Sequence, residues 1–184
     1  MRFSLVFLSF LFYFLANISA AIEEPSYKVI SANEIYEVRE YEDRIAVQTI
    51  QNNGQNGAFM KLFKYISGSN TSSRKIDMTV PVTQKFQDGE MVMQFFLPSK
   101  LKLEQAPQPL SEDLSIVVVK GGKYAVIKYT GRSTFRNFEK HSETLIEVLS
   151  LDKLKTVGPP IKATFDGPLT PFFLRRNEVM IRIE

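Results

Sequence analysis

Apolar and polar positions change period several times along the chain, and each change predicts an element. Tyr36 to Thr49 is rich in β-branched and aromatic residues and is interrupted at Glu42-Asp43, which predicts two strands joined by a turn. Asn53-Gly54-Gln55-Asn56-Gly57 reads as a loop. From Ala58 to Ile66, the residues Phe59, Leu62, Phe63 and Ile66 fall at helical spacing, and Gly68 follows where a helix-ending glycine belongs. Met78 to Phe86 and Met91 to Leu97 predict strands joined through Asp88-Gly89, a favoured hairpin turn. Gln105 to Ser111, with two prolines, connects to the second half. There Leu114 to Val119 and Tyr124 to Thr130 predict strands around Gly121-Gly122. Thr134 to Leu149 predicts a helix with Ser133 as its N-cap and Phe135, Phe138, Leu145, Ile146 and Leu149 on one face. Ile161 to Phe165 and Glu178 to Ile183 predict the closing strands, and the Pro-rich loop Gly167 to Phe173 precedes the last of them.

The two halves share this layout. Tyr36-x-Val38-x-x-Tyr41-x-x-Arg44 recurs 88 positions on as Tyr124-x-Val126-x-x-Tyr129-x-x-Arg132, and the same shift places Met91 to Phe95 on Val179 to Ile183. Two copies are too few for a solenoid and fit one domain with pseudo-two-fold symmetry. A βαββ–βαββ order predicts an α+β fold: a mostly antiparallel sheet or barrel with two helices packed on it.

The first residues follow a different logic. Met1 to Ala21 carries one charge, Arg2, then an apolar run from Phe3 to Leu15, then Ser19, Ala20 and Ala21. This is the order of a secretory signal, with cleavage after Ala21 or Ala20, leaving residues 22–184 as a single domain. The run is shorter than a spanning helix needs; an uncleaved anchor is the alternative. The expected location is therefore periplasmic, luminal or extracellular, with no stable membrane span after cleavage. Asn70-Thr71-Ser72 is a glycosylation sequon, meaningful in a eukaryotic host.

Composition narrows the chemistry. The 184 residues include no cysteine, which excludes disulfides, thiolate metal sites, iron–sulfur clusters and a cysteine nucleophile. The net charge of +3 is spread over scattered Lys and Arg rather than a basic run, so no nucleic-acid partner is expected. His141 is the sole histidine. With one histidine and no cysteine there is little material for a nucleophile–base pair, and no phosphate loop or metal-ligand spacing occurs. A binding protein is expected rather than an enzyme.

Two stretches carry a family pattern. Phe63-Lys-Tyr-Ile-Ser-Gly-Ser-Asn70 followed by Ile76-Asp-Met-Thr-Val-Pro-Val82, and Phe165-Asp-Gly-Pro-Leu-Thr-Pro-Phe-Phe-Leu-Arg-Arg-Asn-Glu-Val-Met-Ile181, resemble signatures of the SOUL haem-binding family. The resemblance runs from about Tyr27 to Glu184. It implies a pseudo-symmetric distorted antiparallel β-barrel flanked by two helices, and reversible binding of haem or a related tetrapyrrole for scavenging, buffering or delivery. Binding of another amphipathic small molecule, or service as a protein-interaction scaffold, are the alternatives.

A porphyrin is a flat apolar plate with two carboxylates and calls for an apolar slot rimmed by cations. The first helix offers Phe59, Met60 and Phe63 with Lys61 and Lys64 beside them. The last loop offers Pro168, Leu169, Pro171, Phe172 and Phe173. If the two face each other they form the slot, and the resemblance favours Lys64 as a propionate partner. Helical periodicity alone also explains Phe59 and Phe63 as core residues, local packing explains the loop, and a solvated helix face explains Lys64. For the iron, His141 lies near the edge of the second helix's apolar face. Some family members are thought to use a histidine near the first strand pair; that region here, Tyr36 to Arg44, has none. Tyr36 or Tyr41 could substitute, and a non-ligated tetrapyrrole is a further option. Arg175-Arg176-Asn177-Glu178 could grip a carboxylate, but alternation along a strand favours an internal ion-pair network.

Overall fold

A computed structural model describes residues 22–51 and 57–184. The predicted leader, residues 1–21, and most of the Asn53–Gly57 loop lie outside the described residues. The elements run β1 (Lys28–Ala32), β2 (Glu37–Tyr41), β3 (Arg44–Gln51), α1 (Ala58–Ile66), β4 (Val82–Gln87), β5 (Glu90–Phe96), β6 (Leu114–Val119), β7 (Gly122–Thr130), α2 (Phe135–Leu151), β8 (Thr156–Thr164) and β9 (Arg176–Ile183). Among the described residues no helix is long and apolar enough to cross a membrane.

The nine strands form one antiparallel sheet in the order β1-β2-β7-β9-β8-β4-β5-β3-β6. Its centre is a bent ladder. Tyr41 faces Gly122, and three residues on, in unbroken register, Arg44 faces Val119. β2 and β3 are therefore one strand folded at Glu42-Asp43, and β6 and β7 one strand folded at Lys120-Gly121. The hydrogen-bonded order leaves β1 and β6 as edges, so the barrel is joined by the chain at these bends and not by a closing ladder. The two bends press together. A Cβ on Gly121 would run into the Tyr41 carbonyl and Glu42, so only glycine fits there.

The βαββ duplication is present as β3-α1-β4-β5 and β7-α2-β8-β9. The repeated Tyr-x-Val motif does not mark it. Its first copy lies on β2 and its second on β7, which are hydrogen-bonded neighbours and not equivalents. Tyr36 accordingly packs in the α2 core while Tyr124 points to the other face.

Both helices lie on one face of the sheet. α1 packs on β3 and β5, burying Leu62, Tyr65 and Ile66 against Val47, Met93 and Phe95. α2 packs on β7, β8 and β9, burying Phe138, Leu145 and Leu149 against Ala125, Ile127, Val179 and Ile181. Its N-cap is Thr134, one residue after the expected Ser133. The Thr134 hydroxyl accepts from the Asn137 amide, while Ser133 bonds Thr164 instead. Ile146 and Phe135, expected on the apolar face, are largely exposed at 47% and 38%. The strand expected from Met78 begins later, at Val82, after the cis Val80–Pro81 bond. β1 carries no alternation and is exposed throughout, which is why its sequence gave no strand signal.

Candidate functional site

The expected site residues fall into two groups on different strands. In α1, Phe59, Met60 and Phe63 are 45%, 51% and 43% exposed, and Lys64 is exposed beside them. The helix sets its Ala58–Leu62–Tyr65 side on the sheet, where the Tyr65 hydroxyl donates to the Pro107 carbonyl at 2.8 Å. That rotation turns part of the apolar stripe outward. The Phe59 and Phe63 rings are nearly parallel, with centroids 6.1 Å apart and an interplanar angle of 11°, and Phe59 rests edge-on against Phe95. Neither is a core residue. Lys61 is bound to Asp113 at 2.7 Å, whereas Lys64 has no ion pair among the described residues.

The loop before β9 packs instead at the end of β7. Its turn of 3-10 helix, Phe172–Leu174, is tied by the Gly131 amide donating to the Phe172 carbonyl, and the Arg132 guanidinium covers the Phe172 ring at 5.0 Å. Arg175 braces the loop from below by donating to the carbonyls of Thr170 and Pro168. Pro171 and Phe172 are exposed, as are Leu169, Phe173 and Leu174 at 97%, 62% and 65%. The loop is thus tied at its base and presents its apolar tips to solvent.

The candidate iron ligands are engaged in the framework. His141 Nδ1 lies 2.7 Å from the Asn137 carbonyl and its ring stacks on Tyr129 at 4.0 Å. The Tyr41 hydroxyl accepts from Arg39 inside the sheet, and burial is the leading reason its pKa rises. Tyr36 donates to Asp152 at 2.5 Å. Arg176, Asn177 and Glu178 form the internal network that alternation favours: Glu178 joins Arg39 and Arg176, Arg176 reaches Glu24, and Asn177 donates to the Gly131 carbonyl.

Two features escape sequence reasoning. The first is Arg44, whose guanidinium sits 4.0 Å from the Phe96 ring and 4.8 Å from the Tyr41 ring, with Nε buried and unpartnered; burial lowers its pKa. It borders a hollow of about 360 Å³ with Glu23, Glu24, Glu42 and Asp43 at its rim. The second is a hollow of about 320 Å³ on the helix-free face, bordered by Gln48, Lys85, Val117, Val119, Ile161 and Arg182. No linear pattern marks either, because each brings together four or more segments that are distant in the chain.

The comparisons agree with this architecture. The C-terminal domain of EcmrR has a similar fold, with TM-score 0.62 and 10% identity over 86% of this chain and 98% of that one. A protein described as a hydrolase from Listeria innocua gives TM-score 0.60 and 10% identity over 84% and 94%. SAV2435, solved with tetraphenylphosphonium bound, gives TM-score 0.50 and 14% identity over 81% and 93%. At such identities the likeness is one of fold. No curated protein matches the chain. The SOUL heme-binding protein family matches residues 22–182, nearly the whole described chain, and this protein belongs to that family.

Proposed function

We propose that the protein binds haem or a related tetrapyrrole reversibly and without catalysis, as an exported scavenger, buffer or carrier. Family membership supports the ligand class. The family match begins at residue 22, directly after the predicted leader, which supports export. The observation that carries the reading is the outward arc of α1. Phe59, Met60 and Phe63 present a half-exposed apolar surface with near-parallel rings, and Lys64, with no ion pair among the described residues, stands beside it. A porphyrin can pack against that apolar surface while one propionate meets the ammonium. His141 and Tyr41 are held within the framework, so the tetrapyrrole is read as packed against the protein rather than ligated by either.

Titration with ferric haem tests this. A saturable one-to-one Soret shift, weakened about tenfold by Phe63→Ala or Lys64→Ala and unchanged by His141→Ala, is expected. A non-saturating response, or one indifferent to both α1 variants, overturns it. The exposed Leu169, Phe173 and Leu174 favour a second reading, a protein-docking loop. In that case Phe172→Ala and Phe173→Ala abolish capture of a partner and leave haem binding intact.

A further inference from the structure

We propose that the hollow on the helix-free face is a separate binding site for a small carboxylate with an apolar body. This inference is independent of the tetrapyrrole reading, which concerns α1 on the opposite face. The hollow lies where β6, one edge of the sheet, comes opposite β8. There β8 breaks register between Val157 and Ile161, and Gly158 takes a positive φ of 77°. The bulge bends β8 away from regular pairing and leaves a space of about 320 Å³, at the lower end of small-molecule sites.

Its lining divides by chemistry. Val117 and Val119 of β6 and Ile161 of β8 supply an apolar floor. Lys85 of β4 and Arg182 of β9 supply two cations that make no hydrogen bond or ion pair among the described residues. A third cation, Lys120, is held by Asp43 at 2.7 Å. None of the described lining residues is acidic. Asp43, the carboxylate whose charge reaches Arg182, is already bound by Lys120 and by the Gly121 amide.

A polar relay reinforces the preference for an anion. The Thr83 hydroxyl donates to Gln94 Oε1 at 3.3 Å, and Gln94 Nε2 donates to Gln48 Oε1 at 2.9 Å. Gln48 borders the hollow and accepts through Oε1, which leaves its Nε2 available as a donor. Two cations without a partner among the described residues and one available amide donor above an apolar floor match a carboxylate attached to a hydrocarbon or aromatic group. They do not match a cation or a neutral sugar.

The test is a fluorescence titration of the purified full chain with naphthoate and, in parallel, its neutral amide. Saturable one-to-one binding of naphthoate is expected, with the amide about tenfold weaker or worse, as the loss of a charge-assisted contact predicts. Lys85→Met and Arg182→Met should each weaken naphthoate about tenfold, while Lys64→Ala leaves it unchanged. Val119→Trp, which fills the hollow from the edge strand without removing a cation, should abolish binding of both probes. Circular dichroism of each variant establishes that it is folded. Equal affinity for the amide, wild-type binding by folded Lys85→Met and Arg182→Met, or the absence of saturation overturns the proposal.

Discussion

Arg39 on β2 and Glu178 on β9 form an ion pair 2.9 Å long with both side chains fully buried, although β7 lies between their strands. Arg39 also donates to Glu37 and to the Tyr41 hydroxyl, and Arg176 closes the other side of Glu178. Removing one partner strands a charge inside the sheet. Glu178→Gln should cost about 3 kcal/mol in urea denaturation, whereas Arg39→Met combined with Glu178→Leu should recover most of that loss. Wild-type stability in Glu178→Gln would mean that water reaches Arg39.

Asn70 heads the sequon but is 1% exposed and fully committed. Its Nδ2 donates to the carbonyls of Tyr65 and Arg74, and its Oδ1 accepts from the amides of Ser72 and Arg74. A glycan on Nδ2 would replace a hydrogen that the fold uses. Folded protein from a eukaryotic host should therefore show no mobility shift on glycosidase treatment. Asn70→Ala should cost about 2 kcal/mol, because buried backbone groups lose their partners.

Burial separates neighbours on α2 that periodicity groups together. Leu145 is fully buried and Ile146 is 47% exposed. Leu145→Ala should destabilise by about 3 kcal/mol, and Ile146→Ser by no more than about 0.5 kcal/mol. Thermal melts of the two variants side by side decide it; equal losses would contradict the packing of α2.

Buried tyrosines should limit alkaline stability. Burial pushes the phenols of Tyr65 and Tyr129 up to about 12, and burial together with the Asp152 carboxylate does the same for Tyr36. A raised pKa in the fold means their contribution is intact below the ordinary tyrosine value near 10 and is lost as pH rises from there through about 12. Phenolate absorbance should appear together with loss of the near-ultraviolet dichroism. Independent titration of these tyrosines without unfolding would refute the coupling.

Acid acts through Glu37. Burial opposes its ionised form, but hydrogen bonds from Arg39 and Lys128 outweigh that and hold its carboxyl below the usual range. Its contribution is present above the ordinary glutamate pKa and is lost as pH falls through the lowered one. Glu37→Gln should flatten the acid limb of a stability–pH curve and leave the alkaline limb unchanged.

Much of the fold was legible from local chemistry. The β-branched run Leu114 to Val119 and the helical spacing from Ala58 to Ile66 predict the bounds that the structure has, because both patterns are set by neighbours in the chain. The Asp88-Gly89 turn was legible for the same reason: both residues adopt the positive φ that this turn needs. The family could be read because Met78-Thr-Val-Pro-Val82 and the Arg175-Arg-Asn-Glu-Val179 run are contiguous.

What the linear pattern could not carry was rotation and register. The spacing of Phe59, Leu62, Phe63 and Ile66 establishes one apolar stripe, but packing of Leu62, Tyr65 and Ile66 on the sheet, with the Tyr65 hydroxyl bonded to the Pro107 carbonyl, leaves Phe59 and Phe63 facing solvent. The repeated Tyr-x-Val motif suggested an equivalence that the bent ladder overruled, since pairing across Tyr41–Gly122 and Arg44–Val119 makes β2 and β7 partners. The sequence by itself determined both helices, most of the strands, their βαββ order and the family, all of which rest on short-range spacing. Tertiary structure alone decided the exposure of the α1 aromatics, the burial of Asn70 and the hollow between Lys85 and Arg182, because each depends on segments that meet only when the sheet bends.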